Sequence, residues 1–326
     1  MEQNKTIEEI THILKYEKKF FIVSHVDPDG DAIGSLLALS LGLLRAGKDV
    51  WPFIHKPLQL PYLMLDTDKI LRCDLPERLD EYICVALDCA NGRRLGKVYN
   101  HLHSFKRVIN IDHHMTNSLF GDVNWVDPKA SCVGEMLFWI LKSLEIPFDK
   151  DVFGNLYYAI QTDTGGFRFD NTSSRALAVA HFLVEKGVVP WEVFSKVANT
   201  KKIESLRLLC EGIKHLEFYK NGALCILVLK SEDFERSNAT LEDADDFVEL
   251  LRGLYGVELI VLAKETSYKR FKFSLRSNGG QDVALIALEF GGGGHRAAAG
   301  FELEGDWENI KAKVLNRLLH GMEISA

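Results

Sequence analysis

The sequence has no excess of basic charge, no short-spaced cysteine pairs and no long apolar run, and each absence removes a class of function. Its 39 Lys and Arg against 46 Asp and Glu leave a formal charge of −7. That argues against coating long nucleic acid, because such binding comes from many cationic contacts with phosphates. A short anionic ligand stays allowed, since a few cations focused in a cleft outweigh net charge locally. The six cysteines (Cys73, Cys84, Cys89, Cys132, Cys210, Cys225) form no C-x-x-C pair and no zinc-type spacing, so they read as free, mostly buried thiols. No apolar run is long enough to span a bilayer, and the polar start MEQNKTIEEITHI lacks the basic and apolar regions of a secretory signal. A cytoplasmic chain with no membrane partner is the expectation. Repeats, low-complexity tracts and proline-rich stretches are missing as well.

What is there suits two globular domains. A chain of 326 residues exceeds the usual size of one core, and 47% hydrophobic with 26% charged residues is an ordinary globular balance. The first half alternates short apolar runs (residues 20–24, 82–87 and 107–111) with helical spacing (32–45, 131–144 and 152–161), the pattern of a mostly parallel sheet covered by helices. From residue 217 strand-like runs (223–229, 257–263 and 270–275) alternate with helices (242–254, 283–290 and 307–319). The fold expected is α/β: a doubly wound, mostly parallel sheet over residues 1–188, a helical linker over 189–216, and a smaller α/β domain over 217–326.

The polar residues that invite chemistry stand just after the strand runs, where open α/β sheets place their ligands. Ser24-His25-Val26-Asp27-Pro28-Asp29-Gly30-Asp31 packs one imidazole and three carboxylates into a few residues, a density that raises carboxylate pKa values unless cations or a helix N-terminus neutralise it. An acidic turn that caps the next helix is the bland alternative. Three further clusters weigh against it: Asp88 ends one apolar run, Asp112-His113-His114 ends another, and Asp163 precedes Gly165 and Gly166.

These residues resemble the DHH phosphoesterase family. His25, Pro28, Asp29 and Asp31 match its H-x-x-P-D-x-D motif, and Asp88, Asp112-His113-His114 and Asp163 follow in family order. The resemblance implies a two-metal hydrolase in which His25 and Asp29 hold one ion, Asp31, His113 and Asp163 hold the other, and Asp88 bridges them. Ligands of this kind without thiolate suit manganese or magnesium, and the family favours manganese. Two ions about 3.5 to 4 Å apart lower the pKa of a shared water and clamp a phosphate. The same resemblance makes His114 a catalytic candidate, with Asp112 orienting a histidine. Asn117 and Arg168 are candidate phosphate contacts, each with an even alternative as a turn amide or a surface cation.

Near the C-terminus, Gly291 to Gly294 with His295 and Arg296 cannot be an ordinary helix or strand throughout, and free N–H groups there would make an anion nest. Gly292, Gly293, His295, Ala298, Ala299 and Gly300 resemble the signature of the DHHA1 substrate-binding domain, and Arg276 resembles its nucleotide-meeting arginine. The substrate set expected here is Arg276, Gly292, Gly293, His295 and Arg296. Within the family, the leading reading is the branch resembling the nanoRNase and pAp phosphatase group, which takes short oligonucleotides and 3'-phosphoadenosine 5'-phosphate. Hydrolysis of cyclic di-AMP or pApA is the alternative, and a nucleotide-binding module without catalysis the reading of a different class. The C-terminal signature differs from that of inorganic pyrophosphatases. A homodimer is allowed, though no motif argues for one.

Overall fold

A strand that is apolar at every position, as residues 83–87 are, needs cover on both faces, and in the first half it receives it. The computed structural model describes residues 2–58, 62, 65, 69–144, 149–198, 201–279 and 281–324. They fall into two compact units, residues 1–200 and 201–326. In the first, α1 (Glu2–Tyr16) leads into β1 (Lys19–Val23), α2 (Gly30–Arg45), β2 (Asp49–Phe53), β3 (Ile83–Leu87), β4 (Arg107–Asp112) and β5 (Val123–Val126). There follow α3 (Val133–Ser143), α4 (Lys150–Asp163), α5 (Ser174–Glu185) and α6 (Pro190–Ala198). The five strands run parallel in the order β2-β1-β3-β4-β5. The two edge strands add to those read from sequence: β2 contains Pro52, which an edge tolerates, and β5 is only four residues long.

Alternate strand residues feed two cores. Phe20, Ile22, Val85, Leu87, Ile109 and Ile111 pack with the buried faces of α1 to α4. Phe21, Val23, Cys84, Ala86 and Val108 pack with Leu95 and Val98 of a 3-10 segment, Gly92–Ser104. α2 and α4 meet at backbone distance: a Cβ on Gly34 would stand 2.6 Å from the Asn155 carbonyl oxygen, and one on Gly30 2.5 Å from the Thr162 hydroxyl. Glycine at those two positions lets the end of α4, which carries Asp163, rise beside the start of α2.

The second unit runs α7 (Ile203–Ile213), β6 (Glu217–Tyr219), β7 (Leu224–Leu229), α8 (Ser231–Ser237), α9 (Phe247–Arg252), β8 (Leu259–Ser267), β9 (Arg270–Ser277), α10 (Val283–Glu289), β10 (Gly293–His295), β11 (Ala298–Glu304) and α11 (Trp307–Ile324). Its six-stranded sheet has the order β10-β11-β9-β8-β7-β6, with β7 and β8 parallel and the other pairs antiparallel. One face packs Ile226, Val261 and Phe273 against Ile286, Val314 and Leu318 of α10 and α11; the other packs Leu227 and Ile260 against Leu208 of α7 and Phe247 of α9.

Two segments take a form that the sequence left open. The described residues of 189–216 include two helices: Val193 of α6 joins the first unit's core and Leu208 of α7 joins the second's, so apolar burial assigns each helix to its own unit. The glycine run forms an edge hairpin, with β10 paired to β11 and the turn at Arg296 and Ala297. A Cβ on Gly292 would stand 2.1 Å from the Gly300 carbonyl oxygen, so glycine there serves close backbone approach within the unit. Among the described residues no helix is long and apolar enough to cross a membrane.

The α2–α4 contact yields a test. Gly34→Val should destabilise the chain by about 1–3 kcal/mol, because its side chain meets backbone that cannot rotate away. Chemical denaturation measures it, and an unchanged midpoint would count against the contact.

Candidate metal centre

With β1 and β3 adjacent, the connections leaving them depart in opposite directions and open a crevice at their carboxyl ends. His25 lies just beyond β1, Asp88 directly follows β3, Asp112 ends β4, and His113 and His114 come next. Asp88 sits at φ 53°, a conformation uncommon for a residue with a Cβ. Its N–H still donates to the Ile111 carbonyl at 3.0 Å, so the β4 ladder holds the strained residue in place. Asp29 is the N-cap of α2 and accepts from the Ala32 N–H at 3.1 Å, which points the positive end of that helix at the acidic cluster.

Two groups of potential ligands share Asp88. His25, Asp29 and Asp88 offer atoms all within 4.8 Å of one another, and so do Asp88, His113 and His114. His25 Nε2 is 3.7 Å from Asp88 Oδ2, and His113 Nε2 is 3.6 Å from Asp88 Oδ1 and 3.9 Å from Asp163 Oδ2. These gaps are too long for hydrogen bonds, yet two ligands each about 2.1 Å from one divalent ion reach across them. Asp88 Oδ1 is enclosed by protein with no hydrogen-bond partner among the described residues, an expensive state that a cation at Asp88 would relieve. The donor set and the orphaned oxygen both fit a divalent metal.

His114 stands apart from the other histidines. Its Nδ1 is 3.5 Å from Asp88 Oδ1 but hydrogen-bonds Asp112 Oδ1 at 2.7 Å, which withholds that nitrogen from a metal and fixes the ring. Asp112 is fully buried and takes its second bond, 2.5 Å, from the Asn117 amide. That amide also donates to Asn110 Oδ1 at 2.8 Å, while Asn117 Oδ1 accepts from the Leu119 N–H. Asn117, expected as a phosphate contact, is therefore committed at both ends to holding Asp112; spacing from His114 gives no hint of which way an amide turns.

Asp31 is buried, with Oδ1 accepting from Ser35 Oγ at 2.9 Å and the Gly134 N–H at 3.0 Å, and Oδ2 from the Val133 N–H at 2.7 Å. It is thereby tied to the start of α3. The half-buried Asp163 approaches His113 and takes a 3.3 Å contact from the Asn171 amide. Arg168 is exposed, with Nε donating to the Gly165 carbonyl. In the second unit Arg276 donates from Nε to Glu249 Oε1 at 2.6 Å. Arg296 lies exposed at the hairpin turn, Gly293 has open space around it, Gly292 is tightly packed, and the side chain of His295 lies outside those described. Sequence reading missed Asn110, which accepts from Asn117, and Asn171, which donates to Asp163, along with Ser131, Glu135 and Arg175, which reach the site only through other groups.

Charge crowding shifts the titrations. Burial pushes the Asp31 carboxyl well above the usual range, with Asp88 and Asp163 adding to it. Burial also raises Asp163 to about 7 against the pull of His113. Burial alone would lower His113, but Asp31, Asp88 and Asp163 outweigh it and carry it to about 9. Asp88 moves the other way: burial would raise it, and the surrounding His25, His113 and His114 hold it below the ordinary value.

Residues 19–160 match the model of the DHH family, N-terminal domain, and residues 221–320 that of the DHHA1 domain. A bifunctional oligoribonuclease and PAP phosphatase NrnA from Thermus thermophilus is 34% identical over 94% of this chain and 91% of its own. A protein of the same name from Bacillus subtilis is 25% identical, covering 85% of this chain and 86% of its own. The crystal structure of an exopolyphosphatase-related protein from Bacteroides fragilis superposes with a TM-score of 0.89 at 26% identity, covering 97% of this chain and 96% of that one.

The shifts set a sign for pH dependence. Asp163, raised to about 7, and His113, raised to about 9, each hold a proton more tightly in the folded than in the unfolded chain. Without metal their contribution to stability is therefore fullest at low pH and is lost as pH rises through those values. Divalent metal displaces the same protons. Manganese should accordingly raise the melting temperature by several degrees more at about pH 8 than at about pH 5. An increment equal at both would contradict this.

Proposed function

The chain belongs to the DHH phosphoesterase family, and on that premise we propose that it hydrolyses short oligonucleotides and 3'-phosphoadenosine 5'-phosphate with two divalent ions, manganese first and magnesium as the substitute. The observation that carries the reading is the buried Asp88 carboxylate, with His25 Nε2 3.7 Å from Oδ2 and His113 Nε2 3.6 Å from Oδ1, an oxygen that no described residue hydrogen-bonds. His25 and Asp29 would hold one ion, Asp31, His113 and Asp163 the other, with Asp88 between them. Ions so placed supply a nucleophile at neutral pH and neutralise charge on the phosphoryl oxygens.

The protein's own groups do the rest. His114, oriented by Asp112, is the residue proposed to meet the phosphoryl group or the departing oxygen as a general acid. Asn117 keeps Asp112 in register for that role. Arg168 adds a cation near the phosphate, and Arg276, Gly293, His295 and Arg296 are the proposed nucleotide contacts of the second unit. Gly292 supports that hairpin through close packing. The names of the Thermus and Bacillus relatives support the substrate pair, and a charge of −7 supports short substrates over long ones.

The test compares pAp, RNA of two to five nucleotides, pApA and cyclic di-AMP as substrates of the manganese-loaded enzyme. Turnover of pAp and short RNA, abolished in Asp88→Ala and reduced about 10²–10⁴-fold in kcat by His114→Ala, is the expected result. Preference for cyclic di-AMP or pApA would overturn the substrate assignment, and no turnover with metal bound would overturn catalysis.

A further inference from the structure

Four of the groups around Asp31, His113 and Asp163 converge on the loop that joins β5 to α3 and on the first two residues of α3, together residues 127–134. The Ala130 carbonyl stands 3.4 Å from His113 Nδ1. The Val133 and Gly134 N–H groups hold Asp31. The Ser131 carbonyl accepts at 3.1 Å from the Asn171 amide, which donates also to the Asp163 carbonyl at 3.0 Å and reaches Asp163 Oδ2 at 3.3 Å. His25 and Asp29 have no such tie to the loop among the described contacts.

The loop is itself fixed by an ion pair between the buried Glu135 and the half-exposed Arg175. Glu135 is 1% exposed. Its Oε2 accepts from the Ser131 N–H at 3.0 Å and from Ser173 Oγ at 3.1 Å, and its Oε1 meets Arg175 Nε at 2.8 Å. Arg175 extends its other arm to Asp127 Oδ2 at 3.0 Å, at the far end of the same loop. Asp127 in turn donates its N–H to the Asp112 carbonyl at 3.0 Å. Ser131 Oγ completes the closure by donating to the Asn171 carbonyl at 2.6 Å and accepting from the Ser173 N–H at 3.0 Å. A guanidinium bonded to two carboxylates in a fixed fork is a rigid brace, and lysine cannot reproduce both arms.

We propose that Glu135 and Arg175 are positioning residues for one of the two ions: they set the 127–134 loop, and the loop sets Asp31, His113 and, through Asn171, Asp163. This rests on the assignment of those three ligands to a common ion. The pair touches neither substrate nor metal. Its loss should weaken one ion selectively, because groups that orient metal ligands typically contribute about 10- to 100-fold in affinity.

The experiment is a manganese titration of the full chain, counting free ion by electron paramagnetic resonance, with circular dichroism as the control for folding. Wild type should bind two ions. Arg175→Met should keep one at wild-type affinity and bind the other about 10- to 100-fold more weakly, Arg175→Lys should recover part of the loss, and the profile should match that of Asp163→Ala. If Arg175→Met does not fold, Asn171→Ala decides, since it removes the amide that joins Ser131 to Asp163 while leaving Glu135 and Arg175 in place, and should weaken the same ion. Two ions bound as tightly as in wild type, or both weakened equally, would overturn the positioning role and leave the ligand assignment intact. Wild type binding fewer than two ions would overturn the assignment beneath it.

Discussion

The constraint on which this structure depends is the gathering of Asp29, Asp31, Asp88, Asp112 and Asp163 with His25, His113 and His114 at the ends of three adjacent strands. Carboxylates this close and this dry repel one another, and burial penalises their charge further. The raised titrations of Asp31 and Asp163 and the raised His113 record that pressure. The chain answers with the N-terminus of α2 at Asp29, the first N–H groups of α3 at Asp31, and an imidazole ring around Asp88. One oxygen of Asp88 accepts no hydrogen bond among the described residues. The parallel sheet, the glycine contacts that draw α4 up to α2, and the Glu135–Arg175 brace all serve to hold together a set of charges that cations complete.

Much of this was legible in the sequence. Strand β3 reads as a strand because Ile83, Cys84, Val85, Ala86 and Leu87 are apolar in succession, and a residue such as Asp88 directly after that run marks where a ligand crevice opens. The same logic found Asp112 to His114 and, from helical spacing, Asp163. What escaped was carried by the backbone or by orientation. The amides of Val133 and Gly134 have no side-chain signal, yet they hold Asp31. Asn117 has the right composition for a phosphate contact, and only its geometry assigns it to Asp112. Glu135 and Arg175 stand 40 residues apart and look like ordinary surface charges on two helices until the fold pairs them.

The C-terminal unit shows how one residue type serves different ends. Glycines at 292 and 294 are demanded by strand contacts inside the hairpin, where a Cβ would strike the carbonyl oxygens of Gly300 and Ala298, while Gly293 has open space. A glycine run thus signals close approach without saying what approaches. Arg276 likewise reads as a free cation in sequence, though its guanidinium is braced by Glu249, a residue on α9 that no local pattern connects to it.

The most direct measurement is a manganese anomalous difference map from crystals of the metal-loaded protein. Two peaks flanking the Asp88 carboxylate are expected, one beside His25 and Asp29 and the other beside Asp31, His113 and Asp163. A single peak, or peaks that leave Asp88 Oδ1 without a ligand, would contradict the shared-carboxylate centre.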